Sequence, residues 1–239
     1  MGRGRSGAKK KGGGGFRPLT DKEESAMYAS QNITPELQDA FDKYTDPNTL
    51  PGSLYNYSQE MNSKVAQGIP LSPDEQATWD AIEGSMHDLG KNVMLTRYDH
   101  ADTVQEMLNK IGVRGNAETM TAKELSDALV GVGYKDKRIL STSVNGFANA
   151  DNPEVFTTRQ FKFSYEAKPG TQAVLPGVGK VPHVYSSKST GDDFGEALLG
   201  SSNSYSIKAV RSLGTKGRSK GMPTYVQDVD QIEIVVEVG

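Results

Sequence analysis

The hydrophobic period of this chain changes once, and that change limits the folds open to it. Before residue 93 the segments carry helix-start signals, whereas after it the apolar runs are short and β-rich. Thr20-x-x-Glu23 is a capping box, Thr34-Pro35 puts proline at a first helical position, and Ser72-Pro73-Asp74-Glu75 combines both devices. In the Ser72 helix, Trp79, Ile82, Met86 and Leu89 recur at spacings of three and four, which predicts one apolar stripe with Trp79 as a core anchor. A further box, Thr121-x-x-Glu124, opens a helix through Leu125 and Leu129 that stops before Gly131 and Gly133. The β-rich runs start at Val93, Arg138, Phe161, Ser204 and Ile232. Helices first and strands afterwards predict an α+β fold, not a doubly wound parallel sheet.

At 239 residues the chain can bury a substantial core. The expected organisation is a flexible basic tail over 1–18 and a single domain over 19–239, helical over about 19–92 and mixed over about 93–239. Arg3, Arg5, Lys9, Lys10 and Lys11 lie among glycines in the tail, so it offers nothing to a core. It can contact nucleic acid or an acidic partner, although a solvated terminus is the simpler reading. A net charge of −3 gives no global basic field. The chain has no cysteine, which excludes disulfides, thiolate zinc sites and a cysteine nucleophile. His87, His100 and His183 show no metal spacing, so no metal is expected. No signal-peptide or membrane-spanning pattern is present, which predicts a protein of the cytoplasm or one delivered into a host cytoplasm.

The chemistry-bearing residues gain meaning from their order. A strand-borne Arg97 precedes Leu140-Ser141-Thr142-Ser143, which precedes Glu196-Ala197-Leu198-Leu199. This order resembles the Arg, Ser-Thr-Ser, Glu class of mono-ADP-ribosyltransferases, which includes binary actin-modifying toxins, Rho-modifying exoenzymes and phage transferases. The likeness extends over roughly 50–210. Tyr55, Asn56 and Asn62 resemble the family's tyrosine- and asparagine-bearing helix, and Phe156-x-x-Arg159 its phosphate-nicotinamide loop. Lys168-Pro169-Gly170-Thr171 resembles its Pro-Lys-Gly-Thr turn, and Tyr205 and Ile207 its strand after the glutamate. The resemblance implies two packed, mostly antiparallel sheets around an NAD cleft, with N-terminal helices. It also implies toxin-like transfer of ADP-ribose from NAD to a macromolecular acceptor, protein or nucleic acid, as by a phage or bacterial effector.

Under that resemblance Glu196, Ser141 and Arg97 are the catalytic set. Arg97, Tyr98, Ser141, Thr142, Ser143, Phe156 and Arg159 are the NAD-binding set, and Asp193 and Phe194 lie in the acceptor loop of about 186–195. Cleaving the nicotinamide bond builds positive charge on the ribose, which a fixed carboxylate stabilises. An arginine fork suits phosphates, and a short serine hydroxyl fixes the carboxylate or the ribose without adding bulk. Each residue also has a plainer reading. Arg97 can pair with Asp99, Ser-Thr-Ser can be an edge strand, Phe156 can be core, and Glu196 can be a surface residue. Phe194 stands where many members carry Glu or Gln two residues before the glutamate, which leaves the acceptor open. An alternative register uses Gln231-Ile232-Glu233, although that segment reads better as the closing strand. Two other functions are consistent with the sequence: an inactive binding or virion structural protein of the same fold, and an NAD glycohydrolase.

Overall fold

The computed structural model describes residues 15–46, 48–147, 159–176, 195–216 and 229–239. The helices begin where their caps predict. Thr20, Ser72 and Thr121 each close a reciprocal capping box, at the starts of α1 (Asp21–Ser30), α4 (Pro73–Gly84) and α6 (Ala122–Leu129). Thr34 caps α2 (Pro35–Thr45) through the Leu37 amide, and Asn56 caps α3 (Tyr57–Gln67) with Gln59 as its reciprocal partner. Helix α5 (Ala101–Lys110) has His100 at its start with no side-chain cap, so it carries no such signal in the sequence. The apolar stripe of α4 is shorter than expected. The helix ends at Gly84, where the Ser85 hydroxyl turns back to the Ile82 carbonyl at 2.7 Å, so Met86 and Leu89 lie beyond it, flanking β1 (His87–Asp88). Among the described residues no helix is long and apolar enough to cross a membrane.

The remaining strands are β2 (Val93–Asp99), β3 (Gly133–Lys135), β4 (Leu140–Ser143), β5 (Phe161–Ala167), β6 (Gln172–Val174), β7 (Glu196–Leu199), β8 (Ser204–Lys216) and β9 (Val229–Val238). Among the described residues they form one nine-stranded sheet in the order β1-β6-β7-β4-β2-β5-β9-β8-β3. The predicted antiparallel character is present, and among the described strands only the β5–β9 pair is parallel. In place of two separate sheets there is one hydrogen-bonded array with a narrow seam. Strand β2 spends its ladder on β5 from Val93↔Ala167 to Asp99↔Phe161 and meets β4 only at Thr96↔Ser143. The chain before α1 bridges the seam: the Met94 amide donates to the Arg17 carbonyl at 2.9 Å, and the Leu19 amide to the Val144 carbonyl at 2.7 Å. The closing strand β9 is not at an edge but lies between β5 and β8.

Two apolar clusters flank this array. The larger joins Leu95, Phe161, Phe163, Ile232, Ile234 and Val236 of the sheet to Val104 and Leu108 of α5 and Leu125 and Leu129 of α6. The smaller joins Phe41, Tyr44, Met61 and Ile82 of the N-terminal helices to Ile139, Val174 and Leu198, with Trp79 half-buried against it. Fully burying one such large side chain contributes about 1.5–3 kcal/mol. Strand β7 is therefore covered on both sides, Leu198 toward the N-terminal helices and Ala197 and Leu199 toward the larger cluster. Residues two apart share a strand face, so Glu196 points the way Leu198 does.

Candidate active site

Arg97, Ser141 and Glu196, distant in sequence, sit on the adjacent strands β2, β4 and β7. In the β4–β7 ladder Ser141 is opposite Leu198 and Ser143 is opposite Glu196, which puts both serines and the glutamate on one face. The Ser141 hydroxyl donates diagonally to Glu196 Oε1 at 2.6 Å. Burial pushes the Glu196 pKa above its ordinary value, opposed by the Ser141 hydrogen bond and by the charge of Arg97.

Arg97 reaches the same place from across the seam. Its Nε donates to Asp99 Oδ2 at 2.7 Å and its Nη1 to the Ser141 carbonyl at 3.0 Å. The plainer pairing with Asp99 is thus real, and it aims the guanidinium rather than consuming it. Burial works against the charge of Arg97, but the Asp99 carboxylate outweighs it, so the pKa is raised and the group stays cationic. A third of the Arg97 side chain remains exposed, leaving donors of its fork for a ligand.

The N-terminal helices fix the strand that carries Ser141. Asn62 of α3 accepts from the Ile139 amide at 3.2 Å and donates to the Ile139 carbonyl at 3.2 Å and to the Tyr44 hydroxyl at 2.8 Å. Tyr44 donates to the same carbonyl at 3.0 Å. Asn56 is a helix cap, and Tyr55 precedes the helix and is half exposed.

Of the other sequence-derived residues, Arg159 Nη1 donates to the Tyr98 carbonyl at 2.8 Å. Burial lowers its pKa; nearby Asp99 opposes that shift and Arg97 adds to it, placing the two arginines within electrostatic reach of one carboxylate. Thr142 faces the larger cluster, and its hydroxyl donates to the Ala197 carbonyl at 2.9 Å. The Ser143 hydroxyl donates to Asn145 Oδ1 and accepts from the Phe147 amide, each at 3.0 Å. Tyr98 points away from Arg97 along the strand, with its ring 5.7 Å from that of Phe147. Phe156, Asp193 and Phe194 lie outside the described residues. The turn at Lys168–Thr171 follows β5, closed by the Thr171 amide on the Lys168 carbonyl at 3.0 Å.

Glu233, the centre of the alternative register, is engaged elsewhere. It accepts from Ser164 Oγ at 2.6 Å, Lys162 Nζ at 2.9 Å and Arg211 Nε at 2.5 Å. Burial raises its pKa, but these three donors outweigh it and hold the group down at about 2. Arg138, which no sequence motif singles out, grips Asp136 through Nε at 2.8 Å and Nη2 at 2.7 Å and is close enough to Arg97 for their charges to interact. Its place three residues before Ser141 was the available signal. Among the described residues no group of three or more histidine and acidic side chains is arranged to hold a metal.

The sheet with its packed helices has the fold of ADP-ribosyltransferase toxins and exoenzymes. Plx2a, an ADP-ribosyltransferase toxin from Paenibacillus larvae, matches with a TM-score of 0.60 and 18% identity over 91% of this chain and 92% of that one. The C3 exoenzyme of Clostridium limosum matches at 0.58 and 18% identity over 95% and 98%. C3stau2 from S. aureus, solved with NAD, matches at 0.57 and 17% identity over 94% and 98%. No protein-family model and no curated protein sequence matches the chain. At these identities the likeness establishes the fold, and function rests on the site.

Proposed function

We propose that the protein is an NAD-dependent mono-ADP-ribosyltransferase that moves ADP-ribose to a macromolecular acceptor and releases nicotinamide. The observation that carries this reading is the convergence of Arg97 and the Ser141–Glu196 pair on three neighbouring strands. Arg97 uses the donors left by Asp99 and Ser141 to hold the pyrophosphate, with Arg159 beside it. The ionised Glu196 faces the ribose. As the bond between nicotinamide nitrogen and anomeric carbon breaks, its electrons leave with nicotinamide and the carboxylate stabilises the cationic sugar. A nucleophilic atom of the acceptor then bonds the anomeric carbon and gives up its proton. Ser141 keeps the carboxylate in place, Thr142 braces β4 against β7, and Ser143 holds the turn that follows β4. Phe156 as a nicotinamide platform, and Asp193 and Phe194 as acceptor contacts, are assigned by resemblance alone.

The test is Glu196→Gln with labelled NAD. Binding of NAD is expected to persist within about threefold while nicotinamide release falls by about 100-fold or more, the loss typical of one transition-state electrostatic contact. Release at the parental rate would overturn the role of Glu196. Label appearing on a protein or RNA of a lysate, dependent on Glu196, identifies a transferase and its acceptor. Nicotinamide release without transferred label identifies a glycohydrolase, and NAD binding without cleavage a binding protein.

A further inference from the structure

Helix α1 has an unusual relation to the core: its one fully buried residue is a glutamate, Glu24, at 2% exposure. Asn145, also buried, donates to Glu24 Oε2 at 3.4 Å while its Oδ1 accepts from the Ser143 hydroxyl and the Phe147 amide. Gly195 is wedged against both side chains. A Cβ there would come within 2.6 Å of Asn145 Nδ2 and 2.9 Å of Glu24 Oε1, and its φ of +53° already disfavours a side chain. The Gly195 carbonyl accepts from the Val144 amide at 2.7 Å. One helix end further on, Gln31 mimics a strand partner for Leu175: its Nε2 donates to the Leu175 carbonyl and its Oε1 accepts from the Leu175 amide, each at 2.8 Å.

These attachment points share one end of the sheet. Asn145 follows β4, Gly195 precedes β7 and Leu175 follows β6, and the three strands are neighbours in the order β6-β7-β4. The residue after Gly195 is Glu196. We propose that Glu24 and Gln31 are positioning residues, through which α1 clamps the ends of β4, β7 and β6 and so sets where the Glu196 carboxylate stands relative to Ser141 and Arg97. The inference rests on the transferase reading for its kinetic consequence but not for the clamp itself. Arg97 lies on β2, outside the clamped strands, and its Nε is anchored to Asp99 of that same strand, so loosening the clamp displaces the carboxylate more than the guanidinium. A misplacement of about 1 Å at a reacting centre is enough for a rate loss of about 100-fold.

The experiment compares the full chain with Glu24→Ala, Glu24→Gln, Gly195→Ala and, as a control on the exposed face of α1, Lys22→Ala. It measures NAD cleavage kinetics, melting temperature and hydrogen exchange of the peptide over 195–203. Glu24→Ala is expected to speed exchange in that peptide by about tenfold or more and to lower kcat by about 10–100-fold, with KM for NAD within about twofold. Glu24→Gln keeps an acceptor oxygen for Asn145 and should recover most of kcat, whereas Lys22→Ala should match the parent. Gly195→Ala forces the same displacement with Glu24 intact, so it decides the matter if Glu24→Ala does not fold. Parental exchange and parental kcat in both Glu24→Ala and Gly195→Ala would overturn the clamp, as would a rise in KM equal to the fall in kcat. Faster exchange in variants of a parent that does not cleave NAD would keep the clamp and sink the transferase reading instead.

Discussion

Glu196 carries a cost that makes it testable by pH. Its pKa is raised from the ordinary 4.5 because burial penalises the ionised form more than Ser141 and Arg97 favour it. If Glu196 acts as proposed, NAD cleavage needs the ionised carboxylate, and its rate should rise through an apparent pKa above 4.5. Replacing Ser141 with Ala removes a hydrogen bond to the ionised form, so it should move that acid limb further up and lower kcat by about tenfold. Stability responds in the opposite sense. A carboxyl with a raised folded pKa contributes fully below the unfolded value and loses that contribution as pH rises through the folded one. Glu196→Gln should accordingly melt above the parent at pH 7–8 and together with it near pH 4. Equal melting temperatures at both pH values would show that Glu196 is not burdened by its surroundings. Asp99 belongs to the same scale, since its bond to Arg97 Nε directs Nη1 to the Ser141 carbonyl and turns an ordinary ion pair into a positioning device.

Among the elements, the contact that matters most to the site is the one between α3 and the entry to β4. Asn62 satisfies both the amide and the carbonyl of Ile139 and also meets Tyr44, so a single side chain ties two helices to the strand bearing Ser141. Asn62→Ala would take the Ile139 amide's partner away and the donor that Tyr44 accepts from, a loss of about 2 kcal/mol. For a domain of this size that is about 4–8 °C in melting temperature. The variant should also lose NAD cleavage, because the Ser141 hydroxyl moves with its strand. Thermal unfolding at the parental temperature would show that water replaces the amide. The seam between β2 and β4 shows why the N-terminal segment matters. With one register pair there, the Arg17 and Leu19 backbone bonds complete the junction across which Arg97 reaches Ser141.

For the molecule as a whole, Glu233 is the main electrostatic tie on the face away from Arg97, joining β5, β9 and β8 through Lys162, Ser164 and Arg211. Its folded pKa of about 2 lies below the ordinary 4.5, so its contribution is present above 4.5 and lost as pH falls from there toward 2. That contribution is on the order of 3 kcal/mol at neutral pH. Glu233→Gln should lower the neutral-pH melting temperature and flatten acid unfolding in that window, while a parent-like acid profile would show the tie to be weak. Much of this architecture was legible in the residues themselves. The caps at Thr20, Thr34, Ser72 and Thr121 act locally, through hydrogen bonds spanning three positions, and so did the runs that became β2, β5, β8 and β9. The order Arg97, Ser141, Glu196 pointed to the candidate site through its resemblance to a family, not through any spacing. Only the tertiary structure could decide that these residues stand on adjacent strands, that β9 inserts between β5 and β8, and that α4 stops at Gly84. It alone could show that a glutamate in the first helix is buried behind Gly195. Those outcomes depend on which faces meet between segments far apart in the chain, and hydrophobic burial, being non-directional, does not write such pairings into local sequence.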